Sequence, residues 1–230
     1  MISLKPEVLF EVYNLKITNT LLTSFLTVII LVIFSLYIKY NIKEKPSKIQ
    51  ALLEIIFENF YNFWYSLTGI RNIKIFAFCF SFFIYILIAN WLGVLPGFGS
   101  FYLKHLDEKI PLLRTVYSDL NMALALSLIS VIGVNILAFS KLNINYFKKY
   151  LNPIGVLEFF SELSKIISFS FRLFGNILSG EVLLMIINVI ISFLAPLPFL
   201  ALEIFVGFIQ ALIFFTLTSI FLKVALSEEY

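Results

Sequence analysis

Five long apolar runs, at about 20–38, 75–95, 119–140, 154–194 and 199–226, alternate with shorter polar connections along the chain. About 20 apolar residues of helix cross a bilayer's hydrocarbon core, so each run predicts a crossing. The last two exceed that length and predict tilted, bent or broken helices, joined as an antiparallel hairpin by the short "APLP" turn at 195–198. Between the first two runs the pattern changes. Gln50, Glu54, Glu58 and Asn62 recur every four residues, the polar stripe of an amphipathic helix over 49–70 lying along the membrane surface. The expected fold is all-α: one multi-pass membrane domain over 1–230, with about five transmembrane helices, one amphipathic surface helix and a long tilted C-terminal hairpin.

Composition agrees. Of 230 residues 60% are hydrophobic and 13% charged, with a mean hydropathy of +0.98, far from an ordinary soluble domain. The lone cysteine, Cys79, lies within an apolar run, so neither a disulfide framework nor a cysteine metal site can be built inside the chain. A net charge of +3 offers nothing to nucleic acid. Placement of the lysines matters more than their sum. "KYNIKEKPSK" carries Lys39, Lys43, Lys45 and Lys48, and the loop after the third run carries Lys141, Lys148 and Lys149. Both loops are expected on the cytoplasmic or matrix side, which puts the N-terminus and the Pro96–Ser118 loop outside and the "SEEY" tail inside. That outer loop holds Lys104, Lys109 and Arg114 against Asp107 and Glu108, with His105 as a surface residue. The first run is expected to be retained as a helix, because no small-residue cleavage site follows it and Lys39 comes directly after.

The stretch "FRLFGNILSGE" at 171–181 places an arginine and a glutamate within apolar helix. At 100° per residue, Ser161, Ser164, Ser168, Gly175 and Ser179 share one stripe with Arg172 and Lys165. Small residues at that spacing admit a second backbone, so Arg172 points at a partner. Glu162 and Glu158 are 10 and 14 residues away, about 15–21 Å along the axis, too far to answer it directly. The missing carboxylate is therefore expected on another chain. An arginine cannot release its proton at a workable pH and can serve only as a fixed charge. Glu181, on nearly the opposite face, can exchange protons, as can Glu203. Asn188 continues the face of Glu181, while Glu203 and Gln210 are seven residues apart on one stripe of the last helix. The two acids are expected toward the outer end of the hairpin, lining one aqueous path. The other reading of such a glutamate is a carboxyl hydrogen-bonded to a neighbouring helix. Glu158, Glu162 and Lys165, toward the inner end, either border an exit path or snorkel to the interface.

"RLFGNILSGE" followed by "LEIFVGFIQALIFFTLTSIFLKVALSEE" resembles the C-terminal hairpin of subunit a of F-type ATP synthases. "SDLNMALALSL" at 118–128, "ANWLGVLPGFG" at 89–99 and "LLEIIFENFYNF" at 52–63 are similar to further segments of that family, so the resemblance covers nearly the whole chain beyond the first run. It implies a stator subunit that carries protons past a rotating c-ring through two half-channels. Arg172 would be the essential arginine separating them, opposite a c-ring carboxylate. Glu181, Glu203 and Gln210 would be polar groups of proton translocation. Asn176, Asn121, Asp119 and Asn90 match further polar positions, with a helix cap as the plain alternative for Asp119. The resemblance also implies contact with the peripheral-stalk subunit b and other synthase subunits, membrane lipid as surroundings, no cofactor and no metal. The chain would be non-catalytic, nucleotide chemistry lying on other subunits. A bacterial plasma membrane is the expected location, with the mitochondrial inner membrane as the alternative.

Two other classes fit less well. A secondary transporter is expected to show inverted repeats or matching interrupted helices, and the sequence shows neither. A membrane hydrolase needs a nucleophile and base or metal ligands, and neither HExxH nor GxSxG is present.

Overall fold

A computed structural model of the chain describes residues 6–12, 15–95, 102–105, 108–142, 155–190 and 196–227. Pro96, Asp107, Lys148, Lys149, Ala195 and residues 228–230 of the "SEEY" tail lie outside the described residues. Among the described residues are six helices: α1 (Asn19–Asn41), α2 (Lys48–Thr68), α3 (Ile73–Val94), α4 (Leu120–Leu142), α5 (Gly155–Ile190) and α6 (Pro196–Ser227). All but α2 are long and apolar enough to cross a membrane, which makes this an all-α, multi-pass membrane protein. Two short antiparallel hairpins accompany them, β1 (Val8–Val12) with β2 (Leu15–Thr18) and β3 (Tyr102–His105) with β4 (Glu108–Pro111). Apolar periodicity did not predict these strands, which are too short to display a clear alternation.

Helix ends follow local chemistry. Thr18, Ser47 and Asn72 cap α1, α2 and α3 by accepting from Leu21, Gln50 and Lys74 backbone N–H groups. Gly69 closes α2 with φ of 73° and donates its N–H to Tyr65 at 2.8 Å, a left-handed cap that glycine adopts without a Cβ penalty. Pro196 opens α6, where its missing N–H costs nothing. Of the alternatives for the longest run, the broken one is excluded: α5 is continuous for 36 residues. At 1.5 Å per residue it measures about 54 Å against a hydrocarbon core of about 30 Å, so it leans or protrudes.

One end of the bundle is an aromatic layer. Phe57, Phe60, Tyr61 and Trp64 fall at helical spacing on α2 and meet Phe76, Phe80 and Phe83 of α3. Phe215 of α6 joins them, its ring 5.9 Å from Phe60. Lys223 Nζ donates to the Leu67 carbonyl at 3.0 Å, where a cation also suits the negative end of α2. The amphipathic helix is thus fastened to the bundle by its aromatic side, with the Gln50–Glu54 hydrogen bond (2.8 Å) on its exposed side.

The other end is closed by a strap, residues 111–119, that runs among the helices. Asn19 of α1 donates to the Pro111 carbonyl at 3.4 Å, the Arg114 N–H donates to Thr23 Oγ1 at 3.2 Å, and Thr20 donates to Asp119 at 3.3 Å. Asp119 then accepts from the Asn121 N–H at 2.9 Å and caps α4. A Cβ on Gly93 would collide with the Thr115 side chain, so α3 closes on the strap only because that residue is glycine. Within the strap Tyr117 is fully buried, and burial pushes its phenol well above the usual tyrosine pKa, keeping it neutral.

Phe60→Ala removes a ring that touches Phe80, Phe83 and Phe215. Because Phe60 is partly rather than fully buried, the expected loss is about 2 kcal/mol, below the cost of a core phenylalanine. Thermal unfolding in detergent will show a lowered transition.

Candidate functional site

At the strap end a carboxylate from α5 is held by two donors. Thr115 Oγ1 donates to Glu181 Oε1, and the Arg114 guanidinium pairs with Oε2 at 3.4 Å. Arg114 was read from sequence as a charge of an outer loop. Its side chain is only 8% exposed, against 22% for that of Glu181, so it is an internal group positioned by its backbone bond to Thr23. What draws it inward is the ion pair together with the strap's own hydrogen bonds.

The second acid lies alongside. A Cβ built on Gly180 would come within 2.7 Å of Glu203 Oε1, so the absence of a side chain there lets α6 bring Glu203 beside Glu181. Its other oxygen, Oε2, is buried and has no hydrogen-bond partner among the described residues. From Glu203 the polar stripe of α6 continues through Gly207 to Gln210, at i, i+4 and i+7, facing Asn90 of α3. Asn90 Nδ2 donates to the Gly207 carbonyl at 3.3 Å. Asn90 Oδ1 and Gln210 Nε2, both buried, have no partner among the described residues. Next to Asn90, Trp91 Nε1 donates to the Ile204 carbonyl at 3.2 Å.

Of the residues singled out from sequence, Glu181, Glu203, Gln210 and Asn90 therefore belong to one polar seam between α3, α5 and α6. Asp119 is buried in the strap, holding Thr20 and capping α4. Asn121 is exposed, and the hydrogen bond it makes to Asp119 uses its backbone N–H. Asn176 is half-buried on α5, its carbonyl accepting from Ser179 at 2.8 Å. Sequence reasoning missed Arg114 and Thr115; the signal was an arginine five residues before the Asp119 cap, at the close of a loop that the apolar pattern leaves undefined.

Arg172 stands apart. Its Nη2 approaches Ser168 Oγ at 3.4 Å one turn back on α5, and no carboxylate of the described residues lies within ion-pair distance. Ser161, Ser164, Ser168, Gly175 and Ser179 are all exposed, and nothing lies within 4 Å of a Cβ built on Gly175. The small-residue stripe therefore faces away from the rest of the chain. Lys165 departs from it: its ammonium sits 4.8 Å above the Phe221 ring of α6.

Toward the aromatic end a recess between α4, α5 and α6 is lined by Asn135, Glu158, Glu162 and Lys165. Asn135 donates to Glu162 at 3.0 Å, and nearer the middle Ser130 and Thr218 hydroxyls pair at 3.1 Å. Two polar regions thus lie at opposite ends of the bundle, with Arg172 on α5 between Glu162 and Glu181 in sequence. No group of three or more His, Cys, Asp or Glu suited to a metal occurs among the described residues.

Two comparisons bear on this arrangement. The family model described as ATP synthase A chain matches residues 21–223. Over 217 residues the sequence is 29% identical to ATP synthase subunit a 1 of Hahella chejuensis (strain KCTC 2396), covering 93% of this chain and 86% of that protein.

A Cβ on Gly207 would lie 3.1 Å from Asn90 Cβ, a tight approach of α3 and α6 of the kind that small residues permit in membranes. Gly207→Leu will therefore separate the two helices, break the Asn90–Gly207 hydrogen bond and lower the unfolding temperature in detergent by more than Phe60→Ala does.

Proposed function

Because the chain belongs to the ATP synthase A chain family, we propose that it is the non-catalytic stator subunit of the synthase's membrane sector, giving protons two half-channels to a rotating c-ring. The observation that carries this reading is Arg172. A buried arginine without a counter-charge costs from about 2.5 to more than 10 kcal/mol, depending on the scale. This one sits on an exposed stripe of small residues, where a second helix can lie close. A c-subunit helix bearing a carboxylate would supply both the missing packing and the missing charge.

In this reading the strap end faces outside. A proton arrives along the Glu181–Glu203–Gln210–Asn90 seam, whose unpartnered buried atoms suit ordered water, and neutralises the ring carboxylate. It travels with the ring and leaves through the inner recess. Arg172 cannot relay a proton; its charge keeps the facing carboxylate ionised and prevents direct leakage between the two paths. Asp119 organises the strap, while Asn121 and Asn176 border the outer path. The loop lysines favour an N-terminus outside and a C-terminus inside, and the bacterial relative favours a bacterial plasma membrane over the mitochondrial inner membrane. The peripheral-stalk subunit b and the remaining synthase subunits complete the partners.

In inverted membrane vesicles, Arg172→Ala is expected to reduce ATP-driven proton pumping to background while the complex still assembles, as judged by immunoblotting. Pumping at the wild-type level would make Arg172 a structural charge and refute the reading. A second variant separates the partner surface from the chain's own core. Gly175→Leu is expected not to destabilise the isolated subunit, since among the described residues nothing beyond its own helix backbone lies within 4 Å of a Cβ placed there, yet to impair pumping in the assembled complex.

A further inference from the structure

The strap end gathers oxygen: the carboxylates of Glu181, Glu203 and Asp119, the Thr115 hydroxyl, the Asn90 carbonyl and the Gly207 backbone carbonyl. Hard metal cations favour sets of oxygen ligands with net negative charge; three carboxylates do not converge on one point among the described residues, but those of Glu181 and Glu203 along a water-filled path would attract a metal cation as well as a proton. We propose that Arg114 is the ion-selectivity residue of this path, barring metal cations while leaving it open to protons. The proposal rests on the outer half-channel reading above and adds to it a residue and a selectivity.

Two observations support it. The Arg114 guanidinium takes one oxygen of Glu181 and the Thr115 hydroxyl takes the other, so the carboxylate has donors where a metal would need open lone pairs. The guanidinium is also difficult to displace, because its side chain is buried and its backbone N–H is bonded to Thr23 on a different helix. A proton escapes this restriction. It moves by exchange along hydrogen bonds and needs no emptied coordination shell. Glu203, whose Oε2 lies buried without a partner among the described residues, offers the adjacent acceptor. Arg114 is thus a positioning residue that acts through Glu181 and does not itself carry the proton.

The test uses the intact synthase complex in liposomes, with ATP-driven proton pumping followed at equal ionic strength in sodium or choline chloride on both sides. Wild type and Arg114→Lys are expected to pump equally in the two salts, whereas Arg114→Gln loses pumping in sodium relative to choline. Arg114→Met, which keeps the packing of the stem without its charge, replaces the Gln variant if that one does not assemble. Equal pumping by the neutral variants in both salts overturns the proposal, as does loss of wild-type pumping in sodium. Neither result touches the stator reading, which fails separately if wild type pumps no protons in either salt or if Arg172→Ala pumps as wild type does.

Discussion

A guanidinium cannot be left in hydrocarbon without an answering charge, and this chain treats two of its arginines in opposite ways. Arg114 is answered internally by Glu181, and that pair fixes much of the strap end. To reach α5, the strap must lie between α1 and α3, where Thr23, Thr20 and Asn19 hold it and Gly93 makes room. Arg172 is turned outward along a row of serines and a glycine, and its hydrogen bond among the described residues is to a hydroxyl of its own helix. The internal arginine completes the fold of one chain. The external one, in the proposed function, is completed by a different chain at each step of rotation.

The packing between these charges follows from the solvent. Lipid gives no hydrophobic drive to join apolar helices, so close approach and hydrogen bonds must do so. Gly207 against Asn90, Gly180 against Glu203 and Gly93 against Thr115 are three such approaches, the first two with a polar group at the contact and the third against the threonine methyl. The glycines of the first two therefore also deliver the polar atoms of the seam. At the opposite end of the bundle from the strap the strategy changes to rings: edge-to-face and tilted contacts of Phe57 and Phe60 with Phe76, Phe83 and Phe215 attach α2, each worth about 0.5–1.5 kcal/mol beyond area burial.

Sequence periodicity revealed the five long apolar helices and the amphipathic one, because both patterns repeat over many turns. It also put Arg172 on a small-residue stripe, which needs nothing beyond 3.6 residues per turn. The strap was illegible for a physical reason. Its conformation is set by bonds to Thr23, Asn19 and Glu181, which lie tens of residues away in sequence, and no local period encodes these. Arg114 consequently read as one more loop cation. Lys165 shared the stripe by angle but turned to the Phe221 ring, since a long flexible side chain can leave the face that its Cα predicts.

The attachment of α1 bears on the order of synthesis. Only 11% of its most apolar stretch is buried; Ser24 ties it to Tyr85 of α3, 61 positions later, at 2.8 Å, and Asn19 and Thr20 are tied to Pro111 and Asp119, 92 and 99 positions later. Thr23 and Thr27 hydroxyls bond back to their own helix at 3.0 and 2.9 Å and can wait in lipid at little cost. Asn19 and Thr20 cannot be matched across the bundle until the ribosome has made half of the chain. The docking of α1 thus comes in two steps, on α3 through Ser24 and Tyr85 and only later on the strap, and a nascent chain stalled before the strap would hold α1 by the earlier contact without the bonds that lock its outer end.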